Sequence, residues 1–362
     1  MRISSLCYLS TLFLIGACGK EPELALDLSK LNLIESNDSQ VNGFSVNGFS
    51  VNGFSVNGFS VNGFSVNGSG TSGSSASDAP PRKNDLASIK FESAAQNGQA
   101  LSKVWIKQST LEASSGPSKL TGAQLIGVTF TAKLLDGMSI PLRIEDVQQS
   151  SGISLYSVAV LSDAGPIPLC GTANGSPVPA LALNGYWDKT SSYVEDSSSF
   201  TFGCINAAVG KCVMWGYKPW ETAAECRNNS CRTRNLQDWH LACVRLVRAD
   251  YCGDGISHTR SGTRINVYDQ LGIQQSANPG WAMEAEWRHD GAACINHTRW
   301  IQANSASTQD DLAYVQNFCP DRLSSAKGSR CDASKSIYNT QFGFNKSTDE
   351  RPLIRNESPQ YQ

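Results

Sequence analysis

Across residues 85–204 the apolar residues fall on alternate positions in short runs. Phe130, Ala132 and Leu134 alternate before Asp136-Gly137, and Ile140, Leu142 and Ile144 alternate after it. A period of two turns one face of each run inward, and Asp-Gly between two such runs predicts a tight hairpin. Ser150-Ser151-Gly152 predicts a second turn, leading into a strand over residues 153–162. Further strands are predicted over residues 103–108, 179–187 and 199–204. Turns this frequent, with no long helical period among them, predict a small antiparallel sandwich or open barrel.

Beyond residue 204 the period changes. Leu236, Trp239, Cys243, Leu246, Val247 and Tyr251 recur at helical spacing and form one apolar stripe. Asn235 stands where it can cap that helix, Asp238 takes the capping-box position, and Gly253 and Gly255 are predicted to end it. A second helix is predicted over 307–318, stopped by Pro320. Residues 264–268 and 281–288 read as strands. In the latter, Trp281, Met283, Ala285 and Trp287 share one face, while Glu284, Glu286 and Arg288 form a polar face opposite. The predicted fold class is α+β. An antiparallel, β-rich part over 85–204 joins a disulfide-rich mixed α/β part over 205–345, with a polar tail over 346–362.

The segment ahead of residue 85 has a different character. Arg2, a short apolar run over residues 3–15 and the small residues Gly16 and Ala17 lead into Cys18. This resembles a bacterial lipoprotein signal, residues 1–17, cut before a cysteine that then carries lipid. The apolar run has about 13 residues, short of the roughly 20 that a spanning helix needs. Gly19 and Lys20 follow the cysteine with no Asp, so the resemblance implies an outer-membrane lipoprotein, facing either the periplasm or the cell surface. Residues 18–40 then lead to Val-Asn-Gly-Phe-Ser, written five times over 41–65 and begun again at Val66-Asn67-Gly68. Two readings compete for the repeat, a short β-solenoid and a flexible tether. The tether is favoured, because repeat folds need several stacked units to bury a core. A Gly/Ser/Pro linker over 69–84 completes the approach to the globular part.

Net charge is −2 over 362 residues, which gives no electrostatic drive toward nucleic acid. Of the 12 cysteines, Cys7 lies in the signal and Cys18 is the lipid site. Ten remain: Cys170, Cys204, Cys212, Cys226, Cys231, Cys243, Cys252, Cys294, Cys319 and Cys331. An even number in an exported chain predicts up to five disulfides, whose connectivity the sequence does not give. The competing zinc reading of Cys226, Cys231, Cys243 and Cys252 is weaker, because those intervals match no standard zinc spacing. Neither a metal nor a cofactor is expected.

Trp239-His240-Leu241-Ala242-Cys243 continues through Arg248 into Ala249-Asp250-Tyr251-Cys252-Gly253-Asp254-Gly255. This run resembles the signature of the ADYC domain, a family of bacterial secreted and lipid-anchored proteins. Lys211-Cys212, Trp215, Tyr217 and Pro219-Trp220 fit the same pattern, as do Val267-Tyr268-Asp269, Glu284-Ala285-Glu286-Trp287 and Cys294 with His297 and Trp300. The resemblance spans about residues 120–300 and implies a compartment and a fold unit, with no activity to carry over.

Candidate chemistry is sparse. The histidines are His240, His258, His289 and His297. His240 beside the helical stripe reads as partly buried and structural. Asp250, Asp254, His258 and His297 together would suit acid–base or metal chemistry. The alternative is that Asp250 braces Arg245 or Arg248 while Asp254 caps a turn. Glu284 and Glu286 lie about 7 Å apart on one strand, a spacing compatible with glycoside hydrolysis, although such pairs normally come from different elements. No Gly-x-Ser-x-Gly elbow occurs. Of the eight tryptophans, five or six are expected in the core. Trp220, beside Pro219, is the best candidate for a platform contacting glycan or protein. A binding or structural role therefore ranks first. The alternative is an extracytoplasmic hydrolase or metal-dependent enzyme.

Overall fold

The computed structural model describes residues 85–360, apart from 135–136, 163–164, 174, 189, 228, 260–262, 276–280, 302–308, 326–330 and 332–350. It also describes four two-residue strands, Asp38–Ser39, Ser50–Val51, Phe54–Ser55 and Ser60–Val61. The signal, Cys18, most of the repeat, the linker over 69–84 and Asp136 lie outside the described residues.

The β-rich part contains β1 (Asp85–Lys90), β2 (Lys103–Lys107), β3 (Thr110–Ser115), β4 (Ser118–Thr121), β5 (Thr129–Leu134), β6 (Ser139–Ser150), β7 (Ile153–Ser162), β8 (Ala180–Asn184) and β9 (Ser199–Cys204). β5 and β6 form the hairpin that the alternation predicted, with Phe130 opposite Leu142. The sheet then closes on itself. Ala132 of β5 pairs with Ile140 on one side and with Ile89 of β1 on the other. The circuit β1–β9–β8–β7–β6–β5–β1 is antiparallel at every step. A closed six-stranded barrel removes the exposed edges that an open one would keep. Ile89, Phe130, Leu142, Tyr156, Phe200 and Phe202 are buried, and Phe130 meets Phe200 edge-to-face at 5.3 Å between ring centroids. β2, β3 and β4 form a separate three-stranded sheet.

Helix α1 (Ala208–Met214) follows directly on β9. It was not anticipated, since seven residues including a glycine carry no readable period. Gly210 is required by contact, because a Cβ there would sit 2.2 Å from the carbonyl oxygen of Cys204. A hairpin of β10 (Thr222–Arg227) and β11 (Ser230–Asn235) leads into α2 (Gln237–Arg248). Leu236, not the expected Asn235, is the residue that starts α2, and no capping box forms with Asp238; Asn235 Oδ1 instead accepts from the Gln237 N–H at 2.9 Å from one position earlier. The end of α2 differs from the prediction. Ala249, with φ of 49°, makes the left-handed cap before either glycine is reached.

The remaining elements are β12 (Asn266–Asp269), β13 (Ala282–Arg288), β14 (Gly291–Ile295), α3 (Asp311–Phe318) and β15 (Ile354–Ser358). Asp310 caps α3 by accepting from the Ala313 N–H at 2.7 Å. The sheet order is β12–β15–β13–β14, which corrects two expectations. Within the supposed polar tail over 346–362, residues 354–358 are a central strand, buried at every position. The supposed polar face of β13 is also inside, with Glu284 and Glu286 both buried. A carboxylate at a strand position reads as solvated unless its partner can be seen, and these partners are arginines distant in sequence.

All ten candidate cysteines pair, as Cys170–Cys204, Cys212–Cys243, Cys226–Cys231, Cys252–Cys319 and Cys294–Cys331. Each contributes on the order of 2–4 kcal/mol, largely by restricting the unfolded chain. The boundary drawn at residue 204 does not divide the core, since one contiguous apolar cluster runs from Ile89 to Ile354. Among the described residues no helix is long and apolar enough to cross a membrane.

Candidate functional site

The turn after α2 is held by charge. Asp250 is wholly buried; it accepts from Arg245 Nη1 and, at 3.1 Å, from the Gly255 N–H. Arg245 reaches on to the Thr190 carbonyl at 2.8 Å and to Ser192 Oγ at 3.0 Å. Gly255 presses on the same loop: with φ of +88°, a Cβ there would lie 2.8 Å from the Thr190 carbonyl carbon. The alternative reading of Asp250 as a brace for Arg245 therefore matches its contacts.

Tyr251 stacks on Trp287 at 5.5 Å. Its hydroxyl donates to Glu284 Oε1 at 3.1 Å and accepts from the Arg299 N–H at 2.7 Å. The Arg299 side chain pairs in a bidentate manner with Glu284, both bonds at 3.0 Å. It also donates to the Leu246 and Val247 carbonyls at 3.0 and 3.3 Å, closing the end of α2. Burial would raise the Glu284 carboxyl, but the Arg299 charge and hydrogen bonds prevail and hold it below its ordinary value. Glu286 pairs with Arg355 at 2.6 Å. Each member of the glutamate pair is thus committed to an arginine.

The candidate catalytic residues fall into two places. Asp254 caps the Ile256 N–H at 2.9 Å and accepts from Tyr314 Oη at 2.8 Å. His258 is buried, with Nδ1 3.0 Å from Asp311 Oδ1 and its ring 4.6 Å from that of Tyr314. Asp254 and His258 therefore meet through Tyr314. His297 lies elsewhere, half-buried beside the Thr298 and Ala282 carbonyls. Among the described residues no three His, Cys, Asp or Glu side chains form a group able to hold a metal ion. His240 is fully buried rather than partly; its Nε2 bonds the Val209 carbonyl at 2.9 Å. Desolvation pulls its imidazole down to about 4, against the opposing pull of that bond.

A cleft of about 520 Å³ opens where the barrel, the β2–β4 sheet and the base of the β10–β11 hairpin meet. Trp220 lines it, together with Trp105, Trp187, Tyr193 and Phe91. Trp187 is 6% exposed, packed edge-on between Tyr193 and His240 at 5.2 and 5.8 Å. Its indole N–H finds no acceptor among the described residues. Polar groups share the wall, notably Asn184, Gln237, Glu195 and Asp196. Bonds from Ser198, Ser199 and Lys90 hold the Asp196 carboxyl well below the usual range, so it stays ionised. Trp220 was legible as a platform because proline stands beside it. Trp105, Trp187 and Tyr193 were not, since an aromatic in a strand reads first as core. Trp187, Trp239 and Trp287 do lie in the core, with Trp215 and Trp220 half-buried against it.

The Asp250–Arg245 pair holds Thr190 and Ser192, and these belong to the loop between Trp187 and Tyr193. The charged turn therefore fixes one wall of the cleft. Residues 122–301 match the family model described as the ADYC domain. No curated protein and no solved structure matches the chain.

Replacing Arg299 with methionine strands a buried carboxylate, and a loss of about 3–5 kcal/mol is expected. Urea denaturation with the disulfides intact measures it, and a loss below about 1 kcal/mol would contradict the assignment. His240 generates an acid dependence. Its folded value of about 4 lies below the ordinary 6.5, so the unfolded chain binds more protons between these pH values. Stability from this group is full above 6.5 and declines as pH falls to 4, by about 3 kcal/mol. Between pH 7 and 4 the wild-type chain should lose that much more stability than His240→Gln. Equal losses would show that the imidazole is not responsible.

Proposed function

Since this chain carries an ADYC domain over residues 122–301, we propose that it is a lipid-anchored binding protein of the bacterial cell envelope. Cys18 carries the lipid, the Val-Asn-Gly-Phe-Ser repeat serves as tether, and the disulfide-stabilised domain presents its aromatic cleft to a glycan or protein ligand. Five disulfides suit an oxidising compartment outside the cytoplasm.

The observation that carries the binding role is the cleft itself. It gathers five aromatic side chains and several polar groups in a concavity of ligand size. The elements around it are fixed by a closed barrel, a disulfide-bonded hairpin and the Arg245 brace, so the site is largely preorganised. Recognition needs aromatic area and directed hydrogen bonds, and the wall supplies both without a nucleophile.

Two measurements test this reading. The intact protein should partition into the detergent phase of a Triton X-114 separation, and Cys18→Ser should move it to the aqueous phase; no change on substitution would refute acylation at Cys18. The Cys18→Ser chain, freed of lipid, should sediment with cell envelopes of the source bacterium. Trp220→Ala should weaken that association at least tenfold, or about 1.4 kcal/mol. Equal sedimentation of the two chains would remove the cleft as the binding site.

A further inference from the structure

Independently of what the cleft binds, we propose that the Cys226–Cys231 bridge is a thiol-exchange site, reduced by a dithiol protein that pairs with an edge of the β10–β11 hairpin. Exposure separates this bridge from the other four. Cys226 and Cys231 are both exposed, whereas seven of the other eight bonded cysteines are buried and Cys252 is half-buried. The side chains that share its face are small and exposed as well: Thr222 and Ala224 on β10, Thr233 and Asn235 on β11. No bulky side chain of the hairpin shields either sulfur. Exchange requires a thiolate to reach one sulfur of the bond, so access selects this bridge over the buried ones.

The hairpin register points to a protein as the partner. Arg227 and Ser230 flank a two-residue turn, and Cys226 lies opposite Cys231, with the Cα atoms 4.0 Å apart. That makes the cysteines a non-hydrogen-bonded pair, whose N–H and C=O groups point away from each other's strand. The same holds for Ala224 opposite Thr233. No third strand joins the hairpin among the described residues, so these outward groups form edges that an extended segment can pair with. A thiolate on such a segment arrives beside the sulfurs. The opposite face fastens the hairpin without the bridge. Glu225 is held by Arg351 at 2.6 Å and by Arg234 at 2.7 Å, and the Leu236 N–H donates to the Glu221 carbonyl at 3.0 Å. The bridge also closes the shortest loop of the five, so opening it returns the least entropy to the unfolded chain. The fold therefore persists in both states. In the step itself the partner's thiolate attacks one sulfur, a mixed disulfide forms, and the other sulfur leaves as a thiolate that takes up a proton. The partner's second thiol, deprotonated, then attacks its own sulfur in the mixed disulfide. The partner's disulfide forms and the second cysteine is released as a thiol. Two electrons and two protons have passed to this chain.

The test incubates the full chain with Cys18→Ser with a reduced thioredoxin, or with glutathione at the same thiol concentration, followed by alkylation and mass mapping. Thioredoxin should open Cys226–Cys231 at least tenfold faster than any other bridge, and at least tenfold faster than glutathione opens it. Near-UV circular dichroism should be unchanged by that reduction. A thioredoxin whose second active-site cysteine is replaced by serine should be trapped on Cys226 or Cys231. Ala224→Pro and Thr233→Pro each remove one outward N–H and spare the bonds within the hairpin. At least one of them should slow thioredoxin about fivefold or more and leave glutathione unaffected. Earlier opening of another bridge, equal rates with the two reductants, or no trapped complex overturns the proposal. So does unchanged reduction of both proline variants, or loss of the near-UV signal when this bridge alone is open. Should neither proline variant fold, the rate comparison and the trapping decide the matter on the unaltered hairpin.

Discussion

Arg299 holds the C-terminal half of the domain together. Its guanidinium, wholly buried, neutralises Glu284 and closes the last carbonyls of α2, while its backbone N–H donates to the hydroxyl of Tyr251. Burying a charge is costly unless every donor is used. Here the planar fork of arginine meets a carboxylate and two helix carbonyls at once, a combination lysine could not reproduce. Helix α2, strand β13 and the turn between them are thereby fixed to one another. Apolar packing alone would leave their relative register softer.

The same logic recurs nearby. Arg351 pairs with Glu225 through bonds of 2.6 and 2.9 Å, tying the β10–β11 hairpin to the segment that enters β15. Arg245 pairs with Asp250 and reaches the loop beside Trp187. The mixed half of the molecule is thus organised around buried arginines, whereas the barrel is organised around aromatic and aliphatic side chains. The cleft lies where the two regimes adjoin, lined by Phe91, Leu183 and Trp187 from one and by Trp220 and Gln237 from the other.

Much of this was legible in the sequence, and what was not has physical reasons. Alternation exposed the β5–β6 hairpin and β9, because each side chain's direction depends only on its neighbours. The stripe through Trp239 and Leu246 exposed α2 for the same reason. Closure of the barrel was hidden, since pairing of Ile89 with Ala132 joins segments that local patterning never compares. Burial of Glu284 and Glu286 was hidden because Arg299 and Arg355 lie far along the chain. The segment 354–358 looked polar and is nevertheless central, its Arg355, Asn356 and Glu357 being matched inside the sheet. Of the site, Trp220 could be named. Trp187 could not, because its place on the wall of a cleft is a property of the assembled fold.

The sheet order carries a consequence for the route by which this domain matures. Strands β13 and β14 follow each other in the chain, yet β12 reaches them only through β15, far downstream. Two thiols likewise pair with residues well downstream of them: Cys252 with Cys319, 67 residues on, and Cys294 with Cys331, 37 residues on. Cys226 and Cys231, five apart on one hairpin, can oxidise as soon as both are available. By loop length alone the Cys226–Cys231 bridge is the least costly to close and Cys252–Cys319 the most, with the other three between them. A thiol–disulfide exchange catalyst therefore has most to do at the Cys252–Cys319 pair, whose partners are 67 residues apart.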